Sequence, residues 1–348
     1  MFVRNSWYVG AWSTEVVQGK PFGRMLLEEP LVMFRTNDGK VAVLEDRCAH
    51  RRMPLTNGKV IGDTIVCCYH GLTYDASGKC VRIPGESRVP AGIRVRSYPA
   101  VERYGAVWVW MGQPELADDS KIFDCSRVGP NCEYGHKFYW HVKSSYLYLN
   151  DNLSDLLHQA FLHNPSFGGN ADPLGDTRPT FRQDGDRIYV DWDWTNVPPP
   201  ATFAEVGQIR GLCDGWNHSA YVPPCFYINT FGFADAGTGG IDSTRKQGDG
   251  KASTTFYQLI TPETQRTTHF FKLARCDWPE AMHSKFRKVT DAVNLEDNWA
   301  CEEQQRMEDI DPSAARHVIP SDRPVAAMRR IVERLHNEER QERATEKT

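Results

Sequence analysis

At 348 residues, with 40% hydrophobic and 25% charged side chains, the chain has the makeup of an ordinary globular protein with room for two domains. Its formal net charge of −4 argues against nucleic acid or an anionic membrane as the main partner. No stretch approaches the roughly 18 apolar residues of a membrane span, and the opening Met1-Phe2-Val3-Arg4-Asn5-Ser6-Trp7 lacks a basic segment followed by an apolar run, so neither a span nor a secretion signal is expected.

Residues 1 to about 115 read as short strands joined by turns. Trp7–Trp12 and Leu31–Arg35 are rich in β-branched and aromatic residues, and Asn37-Asp38-Gly39 gives a hairpin signal before Lys40–Leu44. Further strands fit Thr64–Val66, Leu72–Tyr74 and Ala106–Trp110, with Ser77-Gly78 and Pro84-Gly85 as punctuation. The expectation is a small antiparallel β domain over residues 1–115, with Gly112-Gln113-Pro114 and Ala117–Ser120 as its exit linker.

Within this region stands Cys48-Ala49-His50, then sixteen residues, then Cys67-Cys68-Tyr69-His70. Two Cys-plus-His pairs at that spacing suit a Rieske [2Fe–2S] centre, in which two thiolates hold one iron and two imidazoles hold the other. Pro54 and Gly71 suit two facing turns around the ligands. The alternative is a structural Cys2His2 zinc site, although zinc spacings usually repeat Cys-x2-4-Cys and then His-x3-5-His instead of mixing the two types within each pair. The remaining cysteines are scattered without a framework, which fits a reducing cytoplasm better than disulfides.

The second region, 116–348, opens its chemistry with a helical segment from about Asn150 to a stop at Asn164-Pro165. Strands are expected at Arg187–Trp192, Tyr227–Phe231, Ser253–Ile260 and His269–Leu273. The Gly-rich run from Ala236 to Gly250 reads as a surface hairpin or mobile loop. Val293–Arg306 and Pro324–Arg340 read as helices, the last with Arg and Glu at i,i+4 offsets. The fold class is therefore α+β.

The helical segment carries Asp155-x2-His158-x4-His163. Two imidazoles and a carboxylate from elsewhere make the facial triad of non-haem Fe(II) oxygenases, which leaves positions open for O2 and substrate. At about 100° per residue, His158 and His163 differ by about 140° around a regular helix. Both face one metal only if the helix gains a bulge or breaks near Phe161. Read singly, each is an exposed or capping histidine.

Cys48-Ala49-His50-Arg51 and Cys67-Cys68-Tyr69-His70-Gly71-Leu72-Thr73-Tyr74 resemble the Rieske domain of ring-hydroxylating and demethylating oxygenases. With Asn152-x2-Asp155-x2-His158-x4-His163 downstream, the chain resembles the oxygenase component of the Rieske non-haem iron family, in its vanillate demethylase branch. The similarity extends through Thr261-Pro262-Glu263-Thr264, His269 and Glu296-Asp297.

The resemblance implies a catalytic domain whose antiparallel sheet wraps a long helix, and Asp297 as the third ligand of mononuclear Fe(II). Glu296, Asp291 and Glu302 are rivals on the same stretch. It also places Asn152 near the iron, and Asn229 and Gln258 in the substrate pocket. Family members are head-to-tail trimers, which implies that Asp155 bridges His70 of one subunit to an iron histidine of the next. A separate NAD(P)H-dependent flavin and iron–sulfur reductase would feed electrons to the Cys48/His50/Cys67/His70 cluster and on to iron at His158, His163 and Asp297. There, O2 would hydroxylate a methyl or methoxy carbon of an aromatic acid such as vanillate. No dinucleotide fingerprint occurs in the chain, as a separate reductase requires. Ring hydroxylation, a bare Rieske electron carrier and a cavity-bearing binding protein are the other readings. The roughly 230 residues after the β domain and the paired histidines exceed what a carrier needs.

Overall fold

In the computed structural model, residues 1–169, 171, 174, 177–237 and 252–345 are described. The expected hairpin up to Gly250 lies, from Thr238 onward, outside them. The chain divides into two compact units.

The first unit holds Phe2–Ser126 and Thr261–Thr264. Strands β1 (Trp7–Trp12), β2 (Phe22–Leu26), β3 (Glu29–Arg35) and β4 (Val41–Glu45) precede the first Cys-His pair. Strands β5 (Lys59–Ile61) and β6 (Thr64–Val66) separate the two pairs. After them come β7 (Thr73–Asp75), β8 (Cys80–Arg82), β9 (Ser97–Tyr98), β10 (Ala100–Arg103) and β11 (Ala106–Trp110). They form three antiparallel sheets in the orders β1-β11-β10, β2-β3-β4-β9 and β5-β6-β7-β8. Continuous apolar runs account for the centre: every residue of β1 and β11 is buried, as strands covered on both faces require. Val32, Phe34, Leu44, Leu55, Ile65 and Tyr74 pack into one core beneath the two cysteines. The short return of Thr261–Thr264 is stitched in by backbone: Leu27 N–H donates to Pro262 O at 2.9 Å and Glu28 N–H to Glu263 O at 2.8 Å. The Thr261 hydroxyl donates to Val9 O at 2.9 Å.

The second unit holds Met1, Arg127–Ile260 and the chain from Gln265 onward. Its seven-stranded antiparallel sheet comprises β12 (His136–Val142), β13 (Thr180–Asp184), β14 (Arg187–Val197), β15 (Cys213–Val222), β16 (Phe226–Asp235), β17 (Ala252–Pro262) and β18 (Thr268–Cys276). Their order is β12-β18-β17-β16-β15-β14-β13. Helices α1 (Tyr146–Ser154), α2 (Gln159–Leu162), α3 (Ala201–Gly207), α4 (His283–Ile310) and α5 (Arg323–Thr345) complete it. This is the α+β architecture expected from the pattern and the resemblance. Among the described residues, no helix is long and apolar enough to cross a membrane.

Helix α4 begins ten residues before the expected Val293. Its buried positions Phe286, Thr290, Asn294, Asp297, Asn298, Cys301 and Gln305 recur at helical spacing but are mostly polar, so apolar periodicity understates it. Helix α1 is held on the sheet by one hydroxyl pair. The Tyr227 hydroxyl donates to Asn150 O at 2.8 Å, which leaves its oxygen to accept from the Ser154 hydroxyl at 2.9 Å. Behind α1, Arg329 of α5 reaches Asp151 with Nε–Oδ1 at 2.7 Å.

Candidate metal centres

The two Cys-His pairs of the first unit sit on loops that are copies of each other. Cys48 N–H donates to Met53 O at 2.9 Å, and Arg52 N–H donates back to Cys48 O at 2.9 Å. Cys67 N–H donates to Leu72 O at 2.8 Å, and Gly71 N–H donates back to Cys67 O at 3.0 Å. The residue four after each cysteine is left-handed, Arg52 at φ 57° and Gly71 at φ 73°. At the second loop glycine is required twice over, because a Cβ on Gly71 would meet Pro84 Cγ at 2.8 Å.

This geometry buries the sulfurs of Cys48 and Cys67 and leaves His50 and His70 exposed, their rings 4.6 Å apart. Tyr74 closes the floor. Ala49 N–H donates to the Tyr74 hydroxyl oxygen at 3.1 Å, so the phenolic hydrogen is free to reach Cys48 Sγ at 3.1 Å. Burial and the Cys48 sulfur raise that phenol far above its ordinary range, which keeps it a donor. Burial also raises the Cys67 thiol, while the Tyr69 and His70 amides pull the other way by favouring negative sulfur. Two buried thiols with donors aimed at them, beside two exposed imidazoles, fit the donor set of a Rieske centre and do not need a zinc site's closed tetrahedron.

In the second unit the predicted single helix is two. Asp155 ends α1 in an extended conformation, φ −106° and ψ 111°, and its carboxylate accepts Leu157 N–H at 2.9 Å. A side chain that mimics a backbone acceptor turns the chain there. The segment breaks at Asp155 and again just past Phe161, and His158 and His163 flank the four-residue α2 at its two ends. The 140° of a regular helix does not apply, because α2 is a single turn that ends at Leu162 and His163 leaves helical geometry at φ −94° and ψ 2°.

The turn also sets which ring nitrogen faces inward. Asp155 O can only accept, so His158 Nδ1 carries the hydrogen and donates to it at 2.5 Å. Glu296 likewise accepts from His163 Nδ1 at 2.8 Å. Both Nε2 atoms face Asp297 Oδ1, at 3.3 Å from His158 and 3.1 Å from His163. The three ligand atoms lie within 4.8 Å of one another. With both Nε2 atoms unprotonated, the three groups offer electron pairs that a metal ion could take, and outer hydrogen bonds that turn Nε2 inward are those of metal-binding histidines. Burial alone raises the Asp297 carboxyl, but the facing imidazoles outweigh it and hold it well below the carboxylate range. Burial lowers His163, yet Asp297 and Glu296 outweigh that and raise it.

Asn152 Nδ2 donates to Asp297 Oδ1 at 3.0 Å, which steadies the carboxylate from α1. Of the rivals, Glu296 stands behind His163 instead of at the cluster, and Glu302 accepts Lys143 N–H at 2.9 Å at the end of β12. Asp291 does not join the three converging residues. Glu296→Ala should cut iron affinity about 10- to 100-fold, the usual effect of removing an outer partner of a ligand; metal analysis after dialysis against a graded chelator measures it.

The three residues line one cavity with Asn229, Gln258 and Phe231. Asn229 and Gln258 are buried side by side, Gln258 Nε2 to Asn229 Oδ1 being 3.5 Å. Lys272 and Asn294 also line it and were missed from the sequence. The signal was a lone cation in the aromatic run His269-Phe270-Phe271-Lys272-Leu273.

Comparison with known proteins follows the same two-part division. Residues 6–99 match the Rieske [2Fe-2S] domain, and residues 142–338 match the vanillate O-demethylase oxygenase C-terminal domain. The chain is 35% identical to the iron–sulfur subunit of a toluene-4-sulfonate monooxygenase system from Comamonas testosteroni over 78% of each chain. It is 33% identical to a vanillate O-demethylase oxygenase subunit of a Pseudomonas species (88% of this chain, 87% of the relative). With a dicamba O-demethylase oxygenase component from Stenotrophomonas maltophilia it shares 36% over 78% of this chain and 77% of the relative. A crystal structure of dicamba monooxygenase bound to 3,6-dichlorosalicylic acid superposes with TM-score 0.85, at 29% identity over 99% of both chains.

Proposed function

The chain belongs to the Rieske non-haem iron oxygenases, in the group that shares the vanillate O-demethylase oxygenase C-terminal domain, and on that premise we propose that it oxidatively demethylates a methoxylated aromatic acid such as vanillate. The observation that carries the assignment is the convergence of His158 Nε2, His163 Nε2 and the Asp297 carboxylate on a cavity with apolar walls. His158, His163 and Asp297 hold Fe(II) in this reading, and Cys48, His50, Cys67 and His70 hold the [2Fe–2S] cluster. When bound, the cluster supplies single electrons and the mononuclear iron activates O2. Asn152 fixes the carboxylate rotamer and Glu296 the His163 ring, while Asn229 and Gln258 present amide groups to the substrate. Overall, one methoxyarene, O2, two electrons and two protons give a phenol, formaldehyde and water.

The division into a cluster domain, residues 1–115, and a catalytic domain, 116–348, belongs to the same reading, as do a homotrimer, a separate NAD(P)H-dependent flavin and iron–sulfur reductase and a cytoplasmic setting. Support for assembly comes from apolar side chains left in the open beside the metal residues: Phe161 between the two histidines, Leu295 and Trp299 flanking Asp297, and Tyr69 beside His70. A partner subunit covering them would bring the partner subunit's His70 toward Asp155.

Incubating the holo-protein with a surrogate reductase, NADH and a panel of methoxybenzoates tests the activity. One formaldehyde per O2 consumed is expected for at least one member. Stable benzylic alcohol from a methylbenzoate with no formaldehyde would move the assignment to methyl hydroxylation, and no arene-dependent O2 uptake would overturn it.

A further inference from the structure

We propose that Lys272 is the anchor for an anionic substituent, a carboxylate or a sulfonate, on the aromatic substrate. The inference rests on the preceding reading only in taking the cavity as the substrate site. Lys272 lies in the middle of β18, and its side chain is buried among Trp140, Phe256 and Phe270, with Nζ 5.0 to 5.8 Å from the three ring centres.

An ammonium has three hydrogens to give. One goes to Asn294 Oδ1 at 2.6 Å, and among the described residues no carboxylate comes within ion-pair reach. Asn294 is itself held in orientation, because its Nδ2 donates to Thr290 O at 2.7 Å. The lysine head is therefore fixed in place, lines the cavity and keeps donors in reserve.

A buried cation without a counter-charge is costly, and the surrounding ring faces offset only part of that cost. Burial accordingly pulls the ammonium down to about 7, with Asp297 and Asp291 acting in the opposite sense without overcoming it. A bound anion would supply the missing charge, and the aromatic walls are suited to the flat ring that carries it. Asn294 and Asp297 lie one turn apart on the buried face of α4, about 4.5 Å along its axis. An arene held through its acid group at Lys272 would thus lie beside the metal residues, with its other substituents free to approach them. Asn229 and Gln258 recognise polar groups without regard to charge, so selectivity for the anion falls to the lysine.

Equilibrium binding, followed by tryptophan fluorescence of the holo-protein, separates these roles without relying on turnover. The probes are 4-methoxybenzoate, 4-methoxybenzenesulfonate and the neutral 4-methoxybenzamide. The wild-type protein should bind at least one of the anions about 10- to 100-fold more tightly than the amide, the range for a hydrogen bond to a charged group. Lys272→Met should remove that preference while leaving amide affinity within a few-fold, and Lys272→Arg should retain part of it. Iron content and the cluster spectrum report on folding, and the arginine variant and the wild-type preference stand if the methionine variant does not fold. Equal binding of acid and amide, no saturable binding of either anion, or an anion preference that survives in Lys272→Met would overturn the proposal. Tight anion binding without formaldehyde release would instead count against demethylation and leave the anchor intact.

Discussion

Replacing Asp297 with alanine should remove the mononuclear iron from the protein while the sulfur-bridged cluster stays in place. The carboxylate is the one anionic donor among the three converging groups, and Oδ1 faces both imidazole Nε2 atoms. Without it, two neutral nitrogens remain, which hold a hard cation such as Fe(II) poorly. Asn152 Nδ2 also loses its acceptor, so the variant gains a half-buried orphan donor beside the site. The cluster loops belong to the other unit and close on their own backbone, so they have no reason to respond. Iron should fall from three atoms per chain to two, with the cluster's absorption spectrum unchanged. Substrate-dependent O2 uptake should fall by more than the roughly 10- to 100-fold typical of an outer partner. Retention of the third iron, or activity within tenfold of wild type, would exclude Asp297 as a ligand.

Asp155→Asn is the second large effect, and it separates structure from electron delivery. Its backbone carbonyl, which the substitution does not touch, holds His158 Nδ1–H. The Oδ1 that accepts Leu157 N–H is matched in asparagine by the amide oxygen, so the turn between α1 and α2 should survive. What disappears is the negative charge. If that charge orients the partner subunit's His70 while the backbone carbonyl of the same residue holds His158, both metals should remain at full occupancy while turnover drops to below about one-hundredth. Rapid mixing of pre-reduced protein with O2 and substrate should then show a cluster that stays reduced. Near-normal product formation would reduce Asp155 to a turn residue.

Much of the cluster unit was legible because its chemistry is local. Cysteine and histidine two or three residues apart, with a glycine or proline just beyond, describe a loop almost completely. The strands at Trp7, Thr64 and Ala106 announce themselves by aromatic and β-branched runs. The catalytic unit was legible where residue type alone is informative, as at His158 and His163. It was opaque where tertiary pull overrides pattern. The breaks at Asp155 and after Leu162 serve two imidazoles that must meet a carboxylate about 140 residues later in the chain. Strand β15 does not show in the pattern because Asp214, Asn217, His218 and Ser219 interrupt its apolar alternation, and of the three that are buried Asn217 lines the cavity. Lys272 was passed over for the same reason: a charge inside a strand has meaning only once the space in front of it is known.

The return of Thr261–Thr264 into the cluster unit makes this oxygenase hard to take apart. A gene fragment stopped at Ser126 would encode both cysteine loops, yet it would leave the amides of Leu27 and Glu28 without the carbonyls they bond. A minimal electron-transfer module cut from the amino-terminal end would therefore start life with a frayed β-hairpin, and sewing a copy of that tetrapeptide back on would be the first repair to attempt.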